Sequence, residues 1–212
     1  MKKEFTAPFI SPAEIRKKVE FFRKQHQSCQ KIPIDIEYLI EIDLKFDVVP
    51  IDGLKQNFDI DALILSDRKT IVIDKELHMH DNTNRLRYSL AHELGHYVLH
   101  EEVWSIFNFD SPHRWIEFQR KVDSSQYGYL EGHANEFAGR LLVPYEKLLE
   151  EVNALLKKLP SNFCMNPEEI VPYFAPTLCR SFEVSDQVIE IRIEREKIID
   201  VLDKTINNND VK

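Results

Sequence analysis

Between residues 11 and 29, Ile15, Val19, Phe22 and Cys29 recur at helical spacing, with charged residues between them. That single apolar stripe predicts a helix packed on a core. Ser11, Pro12 and Glu14 give it a start: a cap, a first-turn proline and the glutamate of a capping box. His26 lies on the same stripe and reads as a packed edge histidine. A second helix is expected over residues 35–44. The period then shortens to two. Residues 45–51 read as a short strand, and residues 62–65 and 70–74 as β runs around the polar turn Ser66, Asp67, Arg68 and Lys69. A small antiparallel sheet is expected here.

Helical period returns over residues 84–99. Gly95 inside this stretch costs about 1 kcal/mol against alanine, which makes sense where backbone or substrate comes close. Residues 101–128 are aromatic, broken by Pro112, and read as irregular. A further helix is expected from near Tyr129 to before Pro144, and another over residues 145–158. Residues 159–176 are proline-rich and read as a linker or compact loop. The tail ends in helical pattern, although residues 188–194 also alternate like a strand, and residues 207–212 read as frayed. The organisation expected is α+β, with a main domain over 1–155 and a small helical region over 156–212 packed on it.

Composition narrows the function classes. The chain has 212 residues, 43% hydrophobic and 30% charged, with a net charge of -8. An acidic chain is a poor non-specific partner for nucleic acid or anionic membrane. Residues 161–212 carry six Lys/Arg against ten Asp/Glu, the reverse of what phosphate neutralisation needs, so direct nucleic-acid binding is not expected. Residues 1–31 are locally basic, with eight Lys/Arg against three Asp/Glu, and read as a solvated helix face. No apolar run reaches membrane-spanning length, and the first residues lack the apolar segment of a signal peptide. Cys29, Cys164 and Cys179 are few and widely spaced, as expected of free thiols in a reducing cytoplasm.

Residues 91–100, AHELGHYVLH, hold the candidate chemistry. On a helix, His96 sits about 40° from His92, so both imidazoles can reach one metal ion. Glu93 lies about 100° from His92 and about 60° from His96, where a carboxylate can act as general base on metal-activated water. A catalytic zinc ion takes three protein ligands and leaves one position open. Candidates for the third lie in residues 129–144, YLEGHANEFAGRLLVP. Ala134, Phe137, Ala138, Leu141 and Leu142 form the buried stripe of that helix. Glu131 and Asn135 lie on one edge of it, His133 on the other, and Glu136 and Arg140 are expected to face water as an ion pair. Glu131 is thus the natural ligand, with Asn135 one turn on as hydrogen-bond support. His133 is a ligand only if Glu131 is not, and Glu136 stands as a further alternative.

Arg85, Arg87, Tyr88 and the His92, Glu93, Gly95, His96 motif, followed by Glu131, Ala134, Asn135, Phe137, Ala138, Leu141, Leu142 and Pro144, together resemble the ImmA/IrrE family of metallo-endopeptidases. The resemblance is strong over 85–144 and weaker elsewhere over 35–200. The aromatic segment 101–128, His133 and Val143 depart from the family pattern. The resemblance implies a zincin-like helical core and one Zn2+ on His92, His96 and Glu131. It also implies a cytoplasmic peptidase that cuts a regulatory protein, a helix-turn-helix repressor or antitoxin, and a helix-turn-helix-like piece in the tail. It marks Thr70, Ile71, Val72 and Ile73 as an edge strand along which extended substrate can pair. The developing oxyanion needs a donor, for which Tyr97, Tyr129, His133 and Arg85 are candidates. The alternative is a regulatory protein that binds metal or a partner without cleaving; retention of Glu93 argues for chemistry. His78, His80 and His113 read as surface or loop residues, His100 as a helix end, and Trp104 and Trp115 as packing anchors.

Overall fold

The computed structural model describes residues 5–79, 83–159, 167–198 and 200. His80, Cys164 and the stretch 207–212 lie outside them. Helix α1 spans Pro12–Gln25 and carries the capping box at Ser11 and Glu14. It buries Ile15, Val19 and Phe22, and His26 closes it with its ring against Phe22. Cys29 follows in a short 3-10 turn and is buried. Helix α2, Ile36–Tyr38, continues as a π turn over Leu39–Asp43.

Strand β1, Asp47–Ile51, is followed by α3, Leu54–Phe58, β2, Ala62–Ile64, and β3, Thr70–Asp74. Strands β2 and β3 pair antiparallel as a hairpin. In the turn, Asp67 Oδ1 accepts the N–H groups of Lys69 and Thr70, and Arg68 takes a left-handed conformation at φ 56°. Strand β1 pairs with β3 in parallel, so the sheet is mixed rather than wholly antiparallel. The order is β1-β3-β2. This corrects the edge-strand expectation for Thr70, Ile71, Val72 and Ile73: β3 is central and hydrogen-bonded on both sides, so the edges are β1 and β2. Alternation alone does not order strands. The nearly continuous burial of β3, from Ile71 to Asp74, is the signature of a strand covered on both faces.

Helix α4, Lys75–Met79, places His78 in a helical turn. The long helix α5, Thr83–Leu99, then meets α6, Glu101–Ile106, and α7, Pro112–Lys121. The aromatic segment is therefore largely helical. Its rings, Trp104, Phe107, Phe109, Trp115 and Phe118, stack on one another at centroid distances of 4.7–5.9 Å, a local core that a search for an amphipathic stripe does not reveal. Helix α8, Ser124–Leu142, starts five residues before the expected Tyr129, because the Asp123 carboxylate caps the Ser125 N–H.

Helices α9, Tyr145–Leu156, α10, Pro167–Phe182, and α11, Asp186–Arg195, complete the chain. Residues 188–194 are helical, so their strand-like alternation does not survive. Arg87 of α5 donates from Nε to the Glu183 carbonyl just after α10, at 3.1 Å. Arg192 of α11 donates to the Val143 carbonyl at 3.3 Å. Glu136 and Arg140 of α8 are buried, not solvated as expected. Helix α11 covers them: Glu136 pairs with Arg140 and Arg195, and Arg140 and Arg192 both pair with Glu196. Among the described residues no helix is long and apolar enough to cross a membrane.

Candidate metal centre and cleft

Helices α5 and α8 bury Leu90, Ala91 and Leu94 together with Ala134, Phe137, Ala138 and Leu141 in one core. Gly95 sets their separation. A Cβ built there would lie 2.8 Å from the Ala134 Cα and 2.9 Å from the Ala134 carbonyl oxygen. These are backbone atoms, which cannot turn aside. The close approach that the glycine suggested is thus to the facing helix, and it brings Glu131, one turn before Asn135, over the two histidines.

His92 Nε2 lies 3.1 Å from His96 Nε2 and 3.4 Å from Glu131 Oε2, and His96 Nε2 lies 3.5 Å from Glu131 Oε1. Four-coordinate zinc, with bonds of about 2.0–2.2 Å, sets its ligand atoms about 3.4 Å apart. The distances here, which involve both Glu131 oxygens, are close to that, and one ligand atom from each residue lies within 4.8 Å of the others. Glu131 Oε1 is buried without a hydrogen-bond partner among the described residues, as an oxygen reserved for a cation would be. The donor set of two imidazoles and one carboxylate is one that can hold a metal.

Supporting groups orient the triangle. Asn135 Oδ1 lies 3.0 Å from His92 Nδ1 and 3.2 Å from the Tyr88 hydroxyl, so it accepts from both. That leaves the His92 Nε2 lone pair directed into the triangle. His96 Nδ1 meets His100 Nδ1 at 3.0 Å, and His100 Nε2 meets His133 Nδ1 at 3.3 Å. The rings of Trp104 and Trp115 lie 5.0 and 6.0 Å from that of His96, an apolar wall against water.

Glu93 is buried, and its Oε2 accepts the Ile64 N–H of strand β2 at 2.7 Å. Burial raises its pKa above the usual carboxylate range, against the pull of His96 and His92. Burial likewise opposes the charged form of Glu131, but the imidazoles of His92 and His96 beside it outweigh it and hold that carboxyl well below the usual range. For His92, burial disfavours the charged form, but Glu131 and Glu93 outweigh it and raise the pKa. Burial, with His96 and His133 beside it, drives His100 down to about 2, so its ring is neutral.

The triangle opens on a cleft of about 260 Å³ whose walls include Asp61, Ala62, Tyr88, Trp115, Gln119 and Tyr127. None of the four oxyanion candidates expected from the sequence lines it. Tyr97 packs edge-on to Phe46 with the Arg68 guanidinium over its ring. Tyr129 is exposed and lies off the cleft wall. His133 is buried behind His100. Arg85 forks onto Asp61 at the rim, with distances of 2.7 and 3.0 Å. Two tyrosines do line the wall: Tyr88, whose hydroxyl is engaged by Asn135, and Tyr127, one turn before Glu131 on α8. Gln119 Nε2 donates to the Tyr127 hydroxyl at 2.7 Å. Burial and the Glu131 charge raise its pKa, so the hydroxyl keeps its proton. Its i−4 spacing from Glu131 was the available signal; the late helix start expected from sequence hid it. His113 packs on Phe58 at 4.7 Å, and Trp104 and Trp115 are buried.

No curated protein matched the chain in sequence comparison. Against models of protein families, residues 43–194 match Peptidase_M78, described as the IrrE N-terminal-like domain. The match takes in every residue of the cleft wall and runs across the boundary expected at 155/156. With well over half of its residues inside it, the chain belongs to this family of ImmA/IrrE-type metallopeptidases.

Proposed function

We propose that the protein is a cytoplasmic zinc-dependent endopeptidase that cuts a regulatory protein of the helix-turn-helix repressor or antitoxin class. The observation that carries this reading is the triangle of His92, His96 and Glu131 with Glu93 beside it at the head of one cleft. Zinc held by His92, His96 and Glu131 would supply a Lewis acid for the scissile carbonyl and ease deprotonation of the attacking water. Glu93 Oε2 is occupied by the Ile64 N–H, so Oε1 takes the proton from water and passes it to the leaving amine. The raised pKa makes Glu93 a stronger base than an exposed carboxylate. Tyr127 donates its hydroxyl hydrogen to the oxygen that gains charge, since Gln119 already occupies a lone pair on the phenol.

Extended substrate pairs with the edge of β2. Leu65 N–H and the Asp61 carbonyl bond to β3, so by alternation Ala62 and Ile64 turn their backbone groups outward. Both groups of Ile64 are taken, the N–H by Glu93 and the carbonyl by Trp104 Nε1 at 3.0 Å. Pairing therefore centres on Ala62, which lines the cleft. The buried free thiols of Cys29 and Cys179 suit a reducing compartment.

The test is incubation of zinc-loaded protein with a candidate helix-turn-helix repressor or antitoxin, read by intact mass. A single cut by wild type and none by Glu93→Gln is expected. Cutting by both, or by neither, overturns the reading in favour of a non-catalytic metal- or partner-binding regulator.

A further inference from the structure

A neutral imidazole has one N–H donor and one lone-pair acceptor, so a row of them can order its hydrogens in only two ways. His96, His100 and His133 form such a row, joined at 3.0 and 3.3 Å, with all three side chains buried. In one order His96 Nδ1–H donates to His100 Nδ1, and His100 Nε2–H donates to His133 Nδ1. His96 Nε2 then carries a lone pair toward His92 and Glu131. In the other order each hydrogen sits on the opposite nitrogen. His96 Nε2 then carries hydrogen, faces Glu131 Oε1 at 3.5 Å, and cannot take a metal. The two orders hold the same number of protons, so switching needs no net gain or loss.

We propose that His100 and His133 are positioning residues that fix the hydrogen order of this row and so hold His96 in the tautomer that accepts a metal. The proposal rests on the reading that His92, His96 and Glu131 hold the ion. A metal-ligating histidine commonly donates its other N–H to a carboxylate, carbonyl or water. Here the acceptor is another imidazole, and that acceptor is available only while His100 itself has somewhere to donate. The two His100 contacts use different nitrogens, so the row is not a second three-histidine metal site on one ion. His133, ranked behind Glu131 as a ligand on helix geometry, thereby gains a role two imidazoles away from the metal position.

Two measurements test this. The first is zinc affinity by chelator competition. His100→Phe fills the space but accepts nothing, and should weaken zinc about 10–100-fold. His100→Gln restores a side-chain carbonyl as acceptor and should recover part of the loss. His133→Phe should weaken zinc by less than His100→Phe. Unchanged affinity in His100→Phe, or equal losses in the Phe and Gln variants, overturns the proposal. The second is two-bond 15N–1H correlation on zinc-loaded wild type, which does not depend on a variant folding. Hydrogen on Nε2 of both His100 and His133 supports the row; hydrogen on Nδ1 of His100 overturns it. If wild type takes no zinc, or keeps it in Glu131→Ala, the ligand reading has failed, and the proposal with it. If wild type binds zinc through Glu131 but His100→Phe binds as tightly, only the row is wrong.

Discussion

Glu93 Oε2 accepts the backbone N–H of Ile64 at 2.7 Å, so the residue proposed to take a proton also caps a buried stretch of the β2 edge. The two roles separate by substitution. Glu93→Gln keeps an oxygen for the Ile64 N–H and removes the base. Glu93→Ala removes both and strands a buried donor, at about 1–3 kcal/mol. Thermal melts of the metal-free variants should place Gln near wild type and Ala below it, with both inactive. Equal melting of Ala and wild type would show that the cap contributes nothing.

Gly95→Ala sets two effects against each other. Alanine favours the helix by about 1 kcal/mol. The added methyl meets the Ala134 backbone at 2.8 Å, and overpacking of this kind costs about 1–3 kcal/mol. The contact is with backbone and cannot relax by rotamer, so the clash should win, with a net loss of up to about 2 kcal/mol. Because the same contact holds Glu131 over the histidines, zinc affinity should fall too. Chemical denaturation and chelator competition measure the pair.

Tyr127→Phe removes the hydroxyl and keeps the ring. If the hydroxyl meets the developing oxyanion, kcat should drop about 10²–10³-fold with KM little changed. The zinc content should stay at the wild-type level. Tyr97→Phe and Tyr129→Phe, whose hydroxyls lie off the cleft wall, should leave kcat intact.

Glu136 carries an acid-sensitive part of the fold. Burial alone would raise its pKa, but Arg140, Arg195 and Arg192 outweigh it and lower it. A folded-state pKa below the unfolded one, about 4.3, means that the stabilisation is complete well above that pH and fades as pH falls through and below it. Glu136→Gln should therefore be clearly less stable than wild type at pH 7, with the gap narrowing toward pH 3. Urea midpoints along that range read it directly. A constant gap would mean that packing, not charge, holds the site.

Local periodicity made readable the two helices that carry His92, His96 and Glu131. The buried stripe of Ala134, Phe137, Ala138, Leu141 and Leu142 is a property of neighbours three and four apart, and all five are buried. Glu131 could be ranked over His133 for the same reason. What failed was set by partners distant in the chain. Glu136 and Arg140 look solvated until α11 arrives with Arg192, Arg195 and Glu196. Likewise β3 looks like any strand until β1 pairs with it from the far side. His100 resembles a helix terminus in sequence; only the fold shows it between His96 and His133.

The spacing of α5 and α8 depends on a side chain that is missing. Gly95 binds nothing and moves no proton, yet the geometry of His96 and Glu131 is hostage to it. A relative with all the proposed ligands and the proposed base in place, but a bulkier residue at this point, would pass any search for the motif while its candidate metal position stood distorted. In this fold an intact signature certifies the ingredients of the centre, and the glycine certifies that they meet.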